Sequence, residues 1–302
     1  MDNNRMCIIC RKTKDKSEFN EEHIIPESLG NKKLTINCVC KECNEKLGSK
    51  VDSKLTNNIL TELYRFEDKI KGKSGKLPNP FKKGLGKDGT IIHCDENLKP
   101  TVEPNIKYDE KSGKISVNAN TIEDGIKIVN KKLKRLGKPC LTDEQIIDIQ
   151  KSSKTISYKP DILIKTSIDS YELKMALIKI AYEFVYYIIG DEYLNNEQSK
   201  RLSKILNNYI YNNEKTNLNG IISHLPNNEK NILQLLKKLG NKIFENENIH
   251  SIYMCSNCEN KLIVQTTLFT SLNYGVVVSN KKYNINNKGF ILNPKNGELI
   301  EF

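Results

Sequence analysis

The chain has no tryptophan, and aromatic residues fill only 7% of its 302 positions. Hydrophobic residues still reach 37%, which is lean but sufficient for a core of this length. No long stretch has the composition of a disordered tail. Long apolar runs are also missing. The most hydrophobic segment, Met175–Ile189, is interrupted by Lys179 and Glu183, short of the roughly 18–20 apolar residues of a membrane span. Residues Met1-Asp2-Asn3-Asn4-Arg5 lead into no hydrophobic stretch, so the expectation is a cytoplasmic protein without a secretory leader or membrane partner. No internal repeat is visible. Arginine is scarce, at positions 5, 11, 65, 135 and 201, against 43 lysines.

The basic character is therefore carried by lysine, and part of it follows the Lys-, Asn- and Ile-rich composition of an AT-rich coding sequence. The net charge is +11, and residues 1–90 hold +6 of it. Such an excess in one region of the chain favours a polyanionic partner, with nucleic acid, DNA in particular, as the expected one. Residues 71–89 are a Gly/Pro/Lys loop that reads as a linker between residues 1–70 and residues 90–302. Its Lys73, Lys76, Lys82 and Lys83 are candidate phosphate contacts, against the plainer reading of a solvated linker.

Nine cysteines are present. A cytoplasmic chain is not expected to hold structural disulfides, and the spacing favours metal. Cys7-x-x-Cys10 and Cys40-x-x-Cys43 are two half-sites that together suit one structural tetrahedral Zn²⁺. Cys38 is out of register. Cys255-x-x-Cys258 is a third half-site, with His93 and Cys94 or His250 as conceivable completions. His224 shows no partner.

Ile8–Ile9 and Leu34–Ile36 are short strand candidates, with turns at Pro26 and Gly30. From Lys41 the pattern turns helical through Leu47, Val51 and Leu55, then breaks before Ile59. A hairpin is expected around 109–113, and helices over 121–136 and 142–151, with a strand over 161–166. The apolar stretch 169–189 predicts a core helix ended by Gly190. Its Tyr182, Tyr186 and Tyr187 read as core packing rather than base-stacking aromatics. Helices near 196–211 and 228–243 follow, then strands at 249–254, 261–270 and 273–279 and a hairpin over 293–297. The fold class is α+β.

Between the two N-terminal CxxC pairs lies Glu22-His23-Ile24-Ile25-Pro26, then Gly30, and Asn44 directly follows Cys43. These motifs resemble the HNH endonucleases, specifically the kind with two zinc-binding CxxC pairs, over residues 5–60. The resemblance implies a zinc-stabilised ββα-metal finger in which His23 is the general base. It implies that Glu22 and Asn44 hold one catalytic divalent cation, Mg²⁺ or Mn²⁺, and that cleavage leaves 5′-phosphate and 3′-hydroxyl ends. The chemistry suits the residue types. Neutral imidazole accepts a proton near pH 7, and oxygen ligands suit a hard cation facing a phosphate. Glu22 stands where Asp is commoner, and Thr35 stands where the family's middle Asn would fall.

The rival reading is a non-catalytic zinc-finger DNA-binding or regulatory protein. A pure binder has no need of an acid, a base and an amide in this pattern. A third reading, a sensor, would show an apolar pocket in residues 160–302. Those C-terminal residues match no motif and leave room for a protein partner or a small-molecule activator. Phage defence or a mobile element is a role suggested by analogy only. The finger, taken as a separate module, is expected to unfold alone when Cys7 or Cys43 is replaced.

Overall fold

A computed structural model describes residues 3–72, 74–87, 89–154, 161–225, 248–256, 260–281, 283 and 288–302. The helix expected near 228–243, Lys73 and Cys258 lie outside the described residues. The chain is mixed α+β with antiparallel sheets, as its sequence predicts.

Strand β1 (Asn4–Met6) pairs antiparallel with β2 (Thr13–Asp15). The Cys7–Cys10 knuckle turns between them, fastened by Cys7 N donating to Lys12 O and Arg11 N donating to Cys7 O. Ile8 and Ile9 are thus buried turn residues rather than the expected strand. The thiol pair must curl back on itself, and the strands form on either side of it. Strand β3 (Phe19–His23) pairs antiparallel with β4 (Thr35–Cys40). The connection between them is closed by buried Asn31, whose Nδ2 donates to Ile25 O (2.7 Å) and Leu34 O (2.9 Å). Gly30 ends its turn at φ +91°, and a Cβ there would lie 2.3 Å from Pro294 O, so only glycine fits. Helix α1 (Lys41–Leu47) runs through a π-helical stretch (Gly48–Asp52) into α2 (Ser53–Thr56). The chain then breaks, and Asn58 caps α3 (Ile59–Glu67).

Residues 79–166 form a compact unit of their own. Strands β5 (Gly84–Leu85), β6 (Ile91–Cys94) and β7 (Pro100–Val102) make one sheet, and β8 (Asn105–Tyr108) and β9 (Ile115–Asn118) make a hairpin. Thr121 caps α4 (Ile122–Arg135), and Thr142 opens α5 (Asp143–Ser152) with a capping box to Gln145. The strand expected over 161–166 reduces to one bridge, Leu163 to Leu85. The basic loop is not a free linker. Asn79 Nδ2 donates to Cys94 O (2.8 Å), and Gly84–Leu85 joins the sheet, so the boundary between units falls at 78/79.

The other unit combines residues 1–78 with 167–302. Helix α6 (Ser170–Ile189) starts at Asp169, whose Oδ1 accepts from Tyr171 N and Glu172 N. It is apolar nearly all round, as a fully enclosed helix must be. It is followed by α7 (Glu197–Asn212). Six antiparallel strands complete the unit: β10 (Ile222–His224), β11 (His250–Ser256), β12 (Leu262–Leu268), β13 (Leu272–Ser279), β14 (Gly289–Asn293) and β15 (Glu298–Glu301). Their order is β10-β13-β12-β11-β14-β15. Among the described residues, no helix is long and apolar enough to cross a membrane.

The partition differs from the division expected from sequence, because the N-terminal finger shares one continuous core with the C-terminal region. Tyr182, fully buried, donates through its OH to Ile8 O (2.7 Å). Arg11 donates to Leu194 O (2.8 Å), Ser199 Oγ (2.8 Å) and Ser203 Oγ (3.1 Å). Buried His250 spans the same seam. Its Nε2–H donates to Leu29 O (2.9 Å), and its Nδ1 accepts from Phe269 N (3.0 Å). Both ring nitrogens are spent, so His250 is a neutral clasp and not a ligand for Cys255.

Burial lowers the His250 pKa from 6.5 to about 4. Below pH 6.5 the unfolded chain therefore binds a proton that the folded chain refuses. This contribution is complete above pH 6.5 and is lost as pH falls toward 4, in all by roughly 3 kcal/mol. Urea midpoints of the wild type should thus drop between pH 7 and 5 by more than those of His250→Asn. Equal pH dependence in the two proteins would refute the clasp.

Candidate functional site

Strand β1 leads directly into Cys7, and β4 ends on Cys40. The first turn of α1 then brings Cys43 back over both. The four sulfurs of Cys7, Cys10, Cys40 and Cys43 lie within 4.8 Å of one another. Cys40 N also donates to Cys7 Sγ (3.3 Å), the usual backbone support of a zinc knuckle. Thiols this close cannot ionise independently. Hydrogen bonds from Cys43 and then Cys7 hold Cys10 well down as a thiolate, while the Cys10 contact raises Cys7 and Cys43. A tetrahedral Zn²⁺ with Zn–S of about 2.3 Å needs this donor set, so the residues fit zinc. Cys38 is buried outside the cluster, and burial raises its thiol pKa.

A second polar group sits on β3. Across the hairpin, Glu22 pairs with Ile36 and His23 with Thr35, with an irregularity at Glu21. Thr35, the residue in place of the family's middle Asn, thus stands opposite His23. Its Oγ1 donates to Glu21 Oε2 (3.3 Å). His23 is half-buried. Asn44 reaches the same strand from α1, its Nδ2 donating to Glu21 O (2.9 Å) and Asn20 Oδ1 (3.1 Å). With the amide nitrogen committed to the strand, Oδ1 is the end of Asn44 suited to a cation.

Glu22 goes the other way. Successive strand residues face opposite sides, and Glu22 is only 4% exposed. Its Oε1 lies 2.5 Å from the ammonium of Lys179, which is wholly buried in α6. Asp52 (3.4 Å) and Glu183 (3.2 Å) approach the same ammonium. Burial favours neutral lysine, but Asp52, Glu183 and Glu22 outweigh it and raise the Lys179 pKa. Burial raises the Glu183 pKa, with the Lys179 charge pulling the other way. Sequence reasoning names neither Lys179 nor Glu183 as part of a site. The signal was an i, i+4 charged pair inside the most apolar helix.

Of the remaining candidates, Lys76, Lys82 and Lys83 are exposed. Lys76 belongs to one unit, and Lys82 and Lys83 to the other. His93 meets Glu103 Oε2 (3.0 Å) and Lys82 O (3.2 Å) through its two ring nitrogens.

Because the knuckle shares its core with the C-terminal region, zinc should stabilise residues 1–78 and 167–302 together. Protein purified without chelator should carry about one zinc per chain. Cys7→Ser should lose the zinc and lower the melting transition of that whole unit, not of a separate N-terminal module. Metal analysis beside calorimetry checks this, and an intact C-terminal transition in Cys7→Ser would refute it.

Residues 7–60 match the profile of a family described as HNH endonuclease. Searches of curated proteins and of solved structures found no match. The segment that carries both CxxC pairs, His23 and Asn44 is an HNH endonuclease domain.

Proposed function

We propose that this protein is a metal-dependent endonuclease that hydrolyses phosphodiester bonds in DNA, with His23 as the general base. The observation that carries the reading is that His23 stands opposite Thr35 on the β3–β4 pair while Asn44, next to Cys43 of the four-cysteine cluster, is bonded to the same strand at Glu21, inside a segment that matches the HNH family. The His23 imidazole takes the proton from the attacking water. Asn44 offers its Oδ1 to the divalent cation. When bound, that cation would supply charge stabilisation to the phosphate, as Mg²⁺ or Mn²⁺ does in related chemistry. The resemblance pairs Glu22 with Asn44 at the cation. Glu22 does not fit that part in the fold described, since its carboxylate is buried against Lys179. The cation is therefore assigned to Asn44, and no step passes through Glu22.

The zinc has the separate task of holding the knuckle. Four thiolates leave it no open position for a phosphate. The lysines of the basic loop, Lys73, Lys76, Lys82 and Lys83, supply nonspecific attraction to the backbone.

In plasmid nicking with Mg²⁺ or Mn²⁺, His23→Ala should lose about 10²–10⁴-fold in rate, with zinc content and DNA affinity retained. Asn44→Ala should also cut poorly, but excess Mn²⁺ should partly restore it. Wild-type rates in His23→Ala would leave a zinc-finger binder as the better reading. Separately, changing the four loop lysines to Ala should flatten the salt dependence of DNA binding, each lost phosphate contact reducing the log–log slope by about 0.9. An unchanged slope would return the loop to a merely solvated surface.

A further inference from the structure

Nothing in the resemblance accounts for Lys179, which lies 156 positions beyond the residue whose carbonyl it binds. Its side chain is wholly buried, and its Nζ donates to His23 O at 2.7 Å. Ile24 O lies 3.5 Å from the same Nζ, and Glu22 Oε1 lies 2.5 Å away. Three consecutive residues of the catalytic strand end thus converge on one ammonium. From the other side, Ile24 N donates to Leu34 O (3.1 Å), and Asn31 ties Leu34 to Ile25. The His23 backbone is held between this cross-strand bond and the core helix.

Stability alone does not account for such a residue. Burying an ammonium among carboxyl groups is costly, and an apolar residue of similar volume is often as stable or more so. The cation does give direction: a charge-assisted bond to one carbonyl fixes where that carbonyl sits.

The geometry points to Lys179 as a positioning residue that sets the placement of His23, with Glu22 as its anchor rather than as a ligand of the catalytic cation. The inference rests on the nuclease reading above. Helix α6 is buried from Met175 to Val185, so it is a rigid post there, and Lys179 carries that rigidity to the strand end. A misplacement of the base by about 1 Å can cost on the order of 10²-fold in rate.

Lys179→Met leaves Glu22, Asp52 and Glu183 without their cation, so the main variant is Lys179→Met combined with Glu183→Gln. Melting and zinc analysis establish that it folds. It should bind plasmid with unchanged KM and cut with kcat lowered about 10–10²-fold. The second variant, Glu22→Gln, keeps an oxygen for Lys179 but loses the carboxylate charge. Its Mn²⁺ affinity, read directly by electron paramagnetic resonance, should stay within about twofold of wild type, because an anchor does not touch the cation. Wild-type kcat in the folded double variant would make Lys179 a structural cation only. Mn²⁺ binding weakened about tenfold or more in Glu22→Gln would make Glu22 a ligand and overturn the anchor, even if the double variant fails to fold. Failure of wild-type protein to nick DNA with any divalent cation would refute the nuclease reading itself, and the positioning role with it.

Discussion

Helix α6 must be covered on every side, and the rest of residues 1–78 and 167–302 is arranged to do so. A helix with Leu173, Met175 through Val185 and no solvated stripe cannot rest on one neighbour. The six-stranded sheet covers it through β12 and β13, α7 lies alongside, and the finger supplies the remaining wall through α2 and the knuckle. The finger is thus a wall of a larger core as well as a motif whose four cysteines fit a metal ion. This explains why residues of the cysteine knuckle make long-range bonds. Arg11 has its guanidinium among Leu194, Ser199 and Ser203, and Ile8 gives its carbonyl to Tyr182.

The same constraint explains how a lysine came to lie at the centre of the structure. Residue 179 faces the finger across the most tightly covered part of the helix, where any side chain must be either apolar or fully compensated. The carboxyl groups of Glu22, Asp52 and Glu183 and two backbone carbonyls supply that compensation. The polar centre and the apolar helix are two aspects of one packing arrangement.

Local chemistry was legible in the sequence, and long-range placement was not. The CxxC spacing fixed the ligand set because two knuckles and one hairpin leave little freedom. The stops at Gly30 and Gly190 and the helix start at Thr121 were readable because each acts over a few residues. Ile8–Ile9 misled because a β-branched pair suits a strand, but the thiols on either side require a turn. Glu22 looked like a cation ligand because it precedes His23, and only the strand's alternation and the arrival of Lys179 show that it faces inward. The loop at 71–89 looked unstructured from its Gly, Pro and Lys content, whereas Asn79 and Gly84–Leu85 tie its second half into a sheet.

The clasps across the seam also bear on the order of synthesis. His23 is made well before its supports: the carbonyl it carries waits for residue 179, and the turn behind it waits for residue 250. At about 5–20 residues per second on the ribosome, the strand spends many seconds outside the channel before its support exists. A nascent chain interrupted before α6 would display the HNH motif without the post that seats it. On the nuclease reading proposed above, the full cutting rate would depend on residues made long after the motif itself.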